Sequence, residues 1–110
     1  MAAVTLHTSG IETTSGQGPI FTVDNQLVGM FINISAVSGT LPTLVVKLQQ
    51  SPNGNDWYDV SGVATGSLAG ISLTPIIPST QQLIAENVRA VWTIGGVNPS
   101  FTFEVELETI

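Results

Sequence analysis

Phe101-Thr102-Phe103-Glu104-Val105-Glu106-Leu107-Glu108 decides the fold class. In an extended chain Phe101, Phe103, Val105 and Leu107 fall on one side, and Thr102, Glu104, Glu106 and Glu108 on the other. Successive Cβ atoms of a pleated chain point to opposite faces, so alternation sustained over this length marks a half-buried strand. A helix would scatter the three carboxylates around its circumference. This is a strand.

Working outward, the same period of two returns. Val28, Met30, Ile32 and Ile34 alternate with Gly29, Phe31, Asn33 and Ser35. Leu44, Val46 and Leu48 alternate with Val45, Lys47 and Gln49, and Ala90, Trp92 and Ile94 with Arg89, Val91 and Thr93. β-Branched and aromatic residues concentrate in these runs, as a pleated, half-buried surface prefers. Trp92, in phase with Ala90 and Ile94, is predicted to be core.

Turn residues separate the runs at the spacing of an antiparallel fold. Ser38-Gly39-Thr40-Leu41-Pro42 is predicted to close one strand, and Gly95-Gly96-Val97-Asn98-Pro99 to form a hairpin turn between the last two. Asn53-Gly54 marks a hairpin, since both residues tolerate positive φ. Residues 61–80, broken by Gly62, Gly66, Gly70, Pro75 and Pro78, predict one or two short edge strands and an irregular crossing, because Pro in a sheet keeps to edges and bulges. Gln81 to Glu86 suits a further strand or a single helical turn. Residues 1–18, rich in Ser, Thr and Gly, are expected to be an N-terminal arm or a loose first strand, and 19–110 a single β-sandwich domain. The expectation is an all-β antiparallel β-sandwich of roughly seven or eight strands, immunoglobulin-like or jelly-roll.

Composition narrows function. With 110 residues the chain is expected to be one domain. No cysteine is present, which removes disulfides, thiolate metal sites and a cysteine nucleophile. The N-terminus lacks the basic and apolar segments of a signal peptide, so synthesis in a reducing cytoplasm is expected. Eight acidic residues face two basic ones, Lys47 and Arg89, for a net charge of −6. Two isolated cations do not hold a phosphate backbone or an anionic membrane, so neither direct nucleic-acid binding nor membrane binding is expected. Only 9% of residues are charged while 43% are apolar, against about 25% charged in a typical soluble domain. Such a surface suits a subunit that packs against neighbours, and a homo-oligomer is expected.

No catalytic constellation is legible, and no enzyme, cofactor or metal site is expected. His7 is the only histidine and falls in the N-terminal arm, where solvent exposure is the plainer expectation. One imidazole without cysteine makes a zinc site improbable. Asp56 and Asp59 around Trp57-Tyr58, and Asp24-Asn25, lack the spaced acids of a calcium loop, and turn capping explains them more simply. Two groups are candidate partner contacts. Glu104, Glu106 and Glu108 form a row of like charges about 7 Å apart, either a solvated face that discourages edge aggregation or a landing strip for a partner's basic residues. Trp57 and Tyr58 point to opposite faces, so one of them covers the hairpin or enters an interface, and a sugar-stacking platform is the competing use.

A resemblance sharpens this reading. The run Val37-Ser38-Gly39-Thr40-Leu41-Pro42-Thr43-Leu44 through Ser51-Pro52-Asn53-Gly54-Asn55-Asp56-Trp57-Tyr58-Asp59-Val60 resembles a pattern in small β-sandwich structural proteins of tailed bacteriophage virions, of decoration type. Arg89 to Gly96 followed by Pro99-Ser100-Phe101-Thr102-Phe103 is similar to the closing segment of the same proteins. The resemblance implies a non-enzymatic virion subunit, made in the host bacterial cytoplasm. Its expected role is a capsid decoration or cement protein, commonly trimeric, bound to the exterior of the major capsid protein shell. A tail or baseplate component and a small glycan- or receptor-binding module are the alternatives.

Overall fold

The computed structural model describes residues 2–79 and 82–110. Its regular elements are all strands: β1 (Ala2–Glu12), β2 (Gly16–Gln17), β3 (Phe21–Thr22), β4 (Gln26–Ser51), β5 (Tyr58–Ala64), β6 (Ser72–Ile76), β7 (Gln82–Leu83) and β8 (Asn87–Thr109). Antiparallel pairing joins them in the order β1-β8-β4-β5, with β2 and β3 also on β8 and β6 and β7 also on β4. No helix among the described residues is long and apolar enough to cross a membrane.

The centre is one long ribbon. β4 and β8 run antiparallel from the pair Leu27 and Thr109 to the pair Ser51 and Asn87. Midway both strands bend together, between Ser38 and Thr43 on β4 and between Gly95 and Ser100 on β8. The bend is built from positive φ: Gly39 at 109° and Leu41 at 48° in β4, Gly96 at 113° and Asn98 at 50° in β8. Here the strands press so closely that only glycine fits. A Cβ on Gly39 would lie 2.6 Å from the Asn98 carbonyl oxygen, and one on Gly96 would lie 2.7 Å from that of Leu41.

Folding the ribbon at this corner makes two layers. The first holds β1, residues 101–109 of β8, 26–38 of β4, then β6 and β7. The second holds β2 and β3, residues 87–95 of β8, 43–51 of β4, then β5. Their inner faces share one core, in which Leu27, Met30, Ile32, Ile34, Phe101, Phe103, Val105 and Leu107 of the first layer meet Leu44, Val46, Leu48, Val88, Ala90 and Trp92 of the second. Phe103 and Trp92 touch across the layers edge to face, with ring centroids 5.6 Å apart. Removing these apolar surfaces from water is the main force holding the layers together.

The all-β antiparallel reading therefore stands, with four corrections. Ser38–Pro42 does not end a strand, and Gly95–Pro99 is not a hairpin turn. Both are facing bends in strands that continue, and the glycines and prolines that suggested turns serve the corner. Val28 leaves the inward phase, because a register shift between Leu27 and Gly29 places Leu27 in the core instead. His7 is not solvent-exposed: it lies in β1 and is 7% exposed. Its ring stacks on Phe103 at 4.2 Å and meets Trp92 at 4.7 Å, with Nδ1 2.9 Å from the Phe103 carbonyl oxygen and Nε2 3.0 Å from Glu12 Oε2.

Along the N-terminal segment, β1 pairs with β8 from Ala2 and Thr109 to Glu12 and Phe101. Farther on, Trp92 Nε1 donates to the Thr14 carbonyl at 3.1 Å and Gly18 N donates to that of Ala90 at 2.9 Å. Of the stretch 61–80, Thr80 lies outside the described residues and the rest forms edges: β5 and β6 are separated by the Leu44 and Leu68 bridge, and Pro75 lies in edge strand β6. Of the stretch 81–86, Gln81 lies outside the described residues and Gln82–Leu83 is the short strand β7.

Candidate functional site

The core fills the inner faces, so contact with other molecules falls to the outer ones. The second layer's outer face is organised by the β4–β5 loop. Ser51 Oγ accepts from Gly54 N at 2.7 Å, and Asn53 Oδ1 accepts from Asn55 N and Asp56 N, both at 2.9 Å. Asp56 Oδ2 accepts from Asn53 Nδ2 at 2.8 Å, and Gly54 supplies the positive φ of 79°. This self-bonded loop carries Trp57 back over the sheet, where the Arg89 guanidinium lies 4.2 Å from its ring centroid. Arg89 Nε donates to Gln49 Oε1 at 2.9 Å, Gln49 Nε2 donates to Asp59 Oδ1 at 3.0 Å, and Lys47 Nζ donates to Asp59 Oδ2 at 3.2 Å. The hydrogen bonds from Gln49 and then Lys47 hold the Asp59 carboxyl below the usual carboxylate range. The chain's one lysine and one arginine are thus satisfied within one network. One face of the Trp57 ring is covered by Arg89, which leaves Tyr58, 59% exposed, as the open ring beside the loop.

The first layer's outer face is built differently. Register across β8, β4 and β6 produces rungs: Glu104 beside Asn33 beside Leu73, then Glu106 beside Phe31 beside Pro75. Glu108 stands beside Gly29, and the missing Gly29 side chain leaves room for Ile77, whose Cγ1 would be 3.1 Å from a Cβ there. Carboxylates therefore line one side and apolar side chains the other. Between them runs an open groove of about 500 Å³, lined by Phe31, Asn33, Leu73, Pro75, Glu104 and Glu106 among others.

Two features of this face are unusual for a surface. Strand β6 is inverted over Ser72–Pro75: Ser72 and Thr74 are half-buried and hydrogen-bond each other at 3.3 Å, while Leu73 is 78% exposed, and only Ile76 of the strand packs an apolar side chain on the core. Ile71, Ile77 and Leu83 on the same margin are also exposed. The acids, for their part, have no side-chain ion-pair partner among the described residues, since the pairs formed are His7 with Glu12 and Lys47 with Asp59. The Glu104 carboxylate, hydrogen-bonded to Glu106 and alike in charge, holds the Glu106 carboxyl above the ordinary carboxylate range.

The structure thus separates the sequence's candidates. Glu104, Glu106 and Glu108 share the first layer's face, whereas Trp57 and Tyr58 belong to the hairpin of the second. Sequence reasoning missed the apolar row of Leu73, Pro75 and Ile77 beside the acids. Its signal was present in the alternation of Ile71, Leu73, Pro75 and Ile77 with Ser72 and Thr74, which fixes a shared side but not which side faces out.

No known protein family and no curated protein sequence matches the chain. Among solved structures it is similar to the SPBc2 prophage-derived protein YomS, with 13% identity and a TM-score of 0.43, covering 96% of this chain and 90% of that one. It is also similar to CBM86, a low-affinity xylan-binding module of the gut symbiont Roseburia intestinalis, with 15% identity and a TM-score of 0.44, covering 99% and 95%.

Proposed function

We propose that this chain is a non-enzymatic structural subunit of a tailed-bacteriophage virion. Its role is that of a decoration protein, bound as a homo-oligomer, a trimer in the simplest case, to the outside of the major capsid protein shell, where it stabilises the shell. The inverted strand β6 carries the reading, because it turns Leu73 and Pro75 to solvent and its hydroxyls inward. A free monomer gains nothing from Leu73 and Pro75 in water, Ile76 being the strand's one apolar contact with the core, while a subunit covered on that face buries the exposed apolar surface. The sparse charge and the sequence resemblance over residues 37–60 and 89–103 support the same role. Many subunits, each weakly held across neighbouring capsomers, stabilise a shell through avidity rather than through one strong contact.

The test mixes the purified protein with expanded shells of a major capsid protein from the same genome. Saturable binding at a fixed ratio, with shells more resistant to heat and shear, is the expected result. Binding to isolated tails and not to shells replaces the capsid role with a tail or baseplate one.

A further inference from the structure

The first layer's outer face also specifies the chemistry of its occupant. A strand added to the β6 edge is disfavoured, because Pro75 offers no N–H to a new ladder. A second copy stacked on the same face about a two-fold axis would set one Glu104, Glu106 and Glu108 row near another. The chain's one lysine and one arginine are committed to the opposite face, Lys47 to Asp59 and Arg89 to Gln49 and Trp57. The occupant is therefore a segment of another protein, held by side chains across the groove.

The rungs specify that segment further. Glu104, Glu106 and Glu108 repeat every two residues, about 7 Å apart, and an extended segment presents its own alternate side chains at the same spacing. On each rung an apolar contact lies opposite the carboxylate: Leu73 beyond Asn33, Pro75 beyond Phe31, and Ile77 over Gly29. A side chain that bridges such a rung needs an aliphatic stem and a cationic head, which describes lysine and arginine. The central Phe31 ring, half-buried in the groove, offers a guanidinium or ammonium a second attraction. Resting on the decoration reading, we propose that this face binds an extended partner segment carrying lysine or arginine at alternate positions, with apolar residues between them.

The test uses three capped hexapeptides: one alternating lysine with valine, one with the same residues but the lysines contiguous, and one with glutamine in place of lysine. Binding is followed by amide chemical-shift changes at low salt. The alternating peptide is expected to bind best and to move signals of residues 29–35, 72–76 and 102–108. The E104Q/E106Q/E108Q variant, its fold confirmed by an otherwise unchanged spectrum, is expected to bind it about tenfold more weakly, the scale of three exposed ion pairs. Raising salt to molar strength is expected to have a similar effect. Equal binding of the alternating and contiguous peptides overturns the proposal, as do an unaffected triple variant or shifts gathered around Lys47 and Arg89. Self-association that the triple variant strengthens and Leu73→Asp abolishes overturns it in favour of a second copy. The decoration reading fails separately: wild-type protein that takes the alternating peptide in this groove but ignores shells leaves the groove chemistry standing, whereas shells that bind wild type and triple variant equally remove the groove chemistry and keep decoration.

Discussion

The two outer faces come from one ribbon and have opposite characters. On the second layer Arg89, Gln49, Asp59 and Lys47 satisfy one another in sequence, and Trp57 is spread over Arg89. On the first layer three glutamates stand in a row without ion-pair partners among the described residues, beside Leu73 and Ile77 turned to solvent. The first pattern is that of a surface complete in itself. The second leaves like charges in repulsion and apolar surface in water, and both costs fall away when a basic, partly aliphatic surface covers them. The difference teaches where to look for a partner: where a face is unsatisfied, rather than where it is most decorated with aromatic rings.

Both faces are held by one rigid interior, and the largest expected effects lie there. Phe103→Ala removes the ring that stacks on His7 and meets Trp92, and is expected to cost about 3–5 kcal/mol in chemical denaturation. Next comes the corner that sets the faces apart. Gly96→Ala forces a side chain into a φ of 113° and against the Leu41 carbonyl, with an expected cost of about 1–3 kcal/mol by the same measurement.

Changes on the outer faces are expected to be far milder. Trp57→Ala uncovers Arg89 and is expected to lower stability by roughly 0.5–1 kcal/mol, the range of an exposed cation–π contact, while leaving partner binding intact. A loss of partner binding as large as that from Leu73→Asp would erase the distinction between the faces. Smallest of all are the pH effects, and they have opposite signs. The lowered Asp59 carboxyl contributes stability that is present above the ordinary carboxylate range and is lost as pH falls through its folded value. The raised Glu106 carboxyl binds its proton more readily in the folded state, so its contribution grows as pH falls through the raised value toward the ordinary one. Urea titrations of Asp59→Asn and Glu106→Gln between pH 3 and 7 check this: the first is expected to lose stability at neutral pH and the second to gain slightly.

Much of the fold was legible because burial on one face writes a period of two into the chain. Phe101 to Leu107 and Leu44 to Leu48 entered the core on the side that alternation indicated. The path of the chain was not legible. Glycine and asparagine supply positive φ and proline breaks ladders in the same way at a hairpin turn and at a shared bend, so residues 38–42 and 95–99 read as turns. The burial of His7 is not legible because it depends on Phe103 and Trp92 arriving from β8, far along the chain, with Glu12 of its own strand completing the contacts. The glutamate row could be read as a row, but its apolar counterpart on β6 became a neighbour only through strand pairing across about forty residues.

Decoration of a shell, as proposed, covers the first layer's outer face. Co-sedimentation of wild type and Leu73→Asp with expanded capsid shells tests it most directly, because Leu73 is 78% exposed and its replacement leaves the core untouched. Wild type is expected to pellet with shells at a fixed ratio while the folded variant stays in the supernatant. Equal pelleting of the two contradicts the claim.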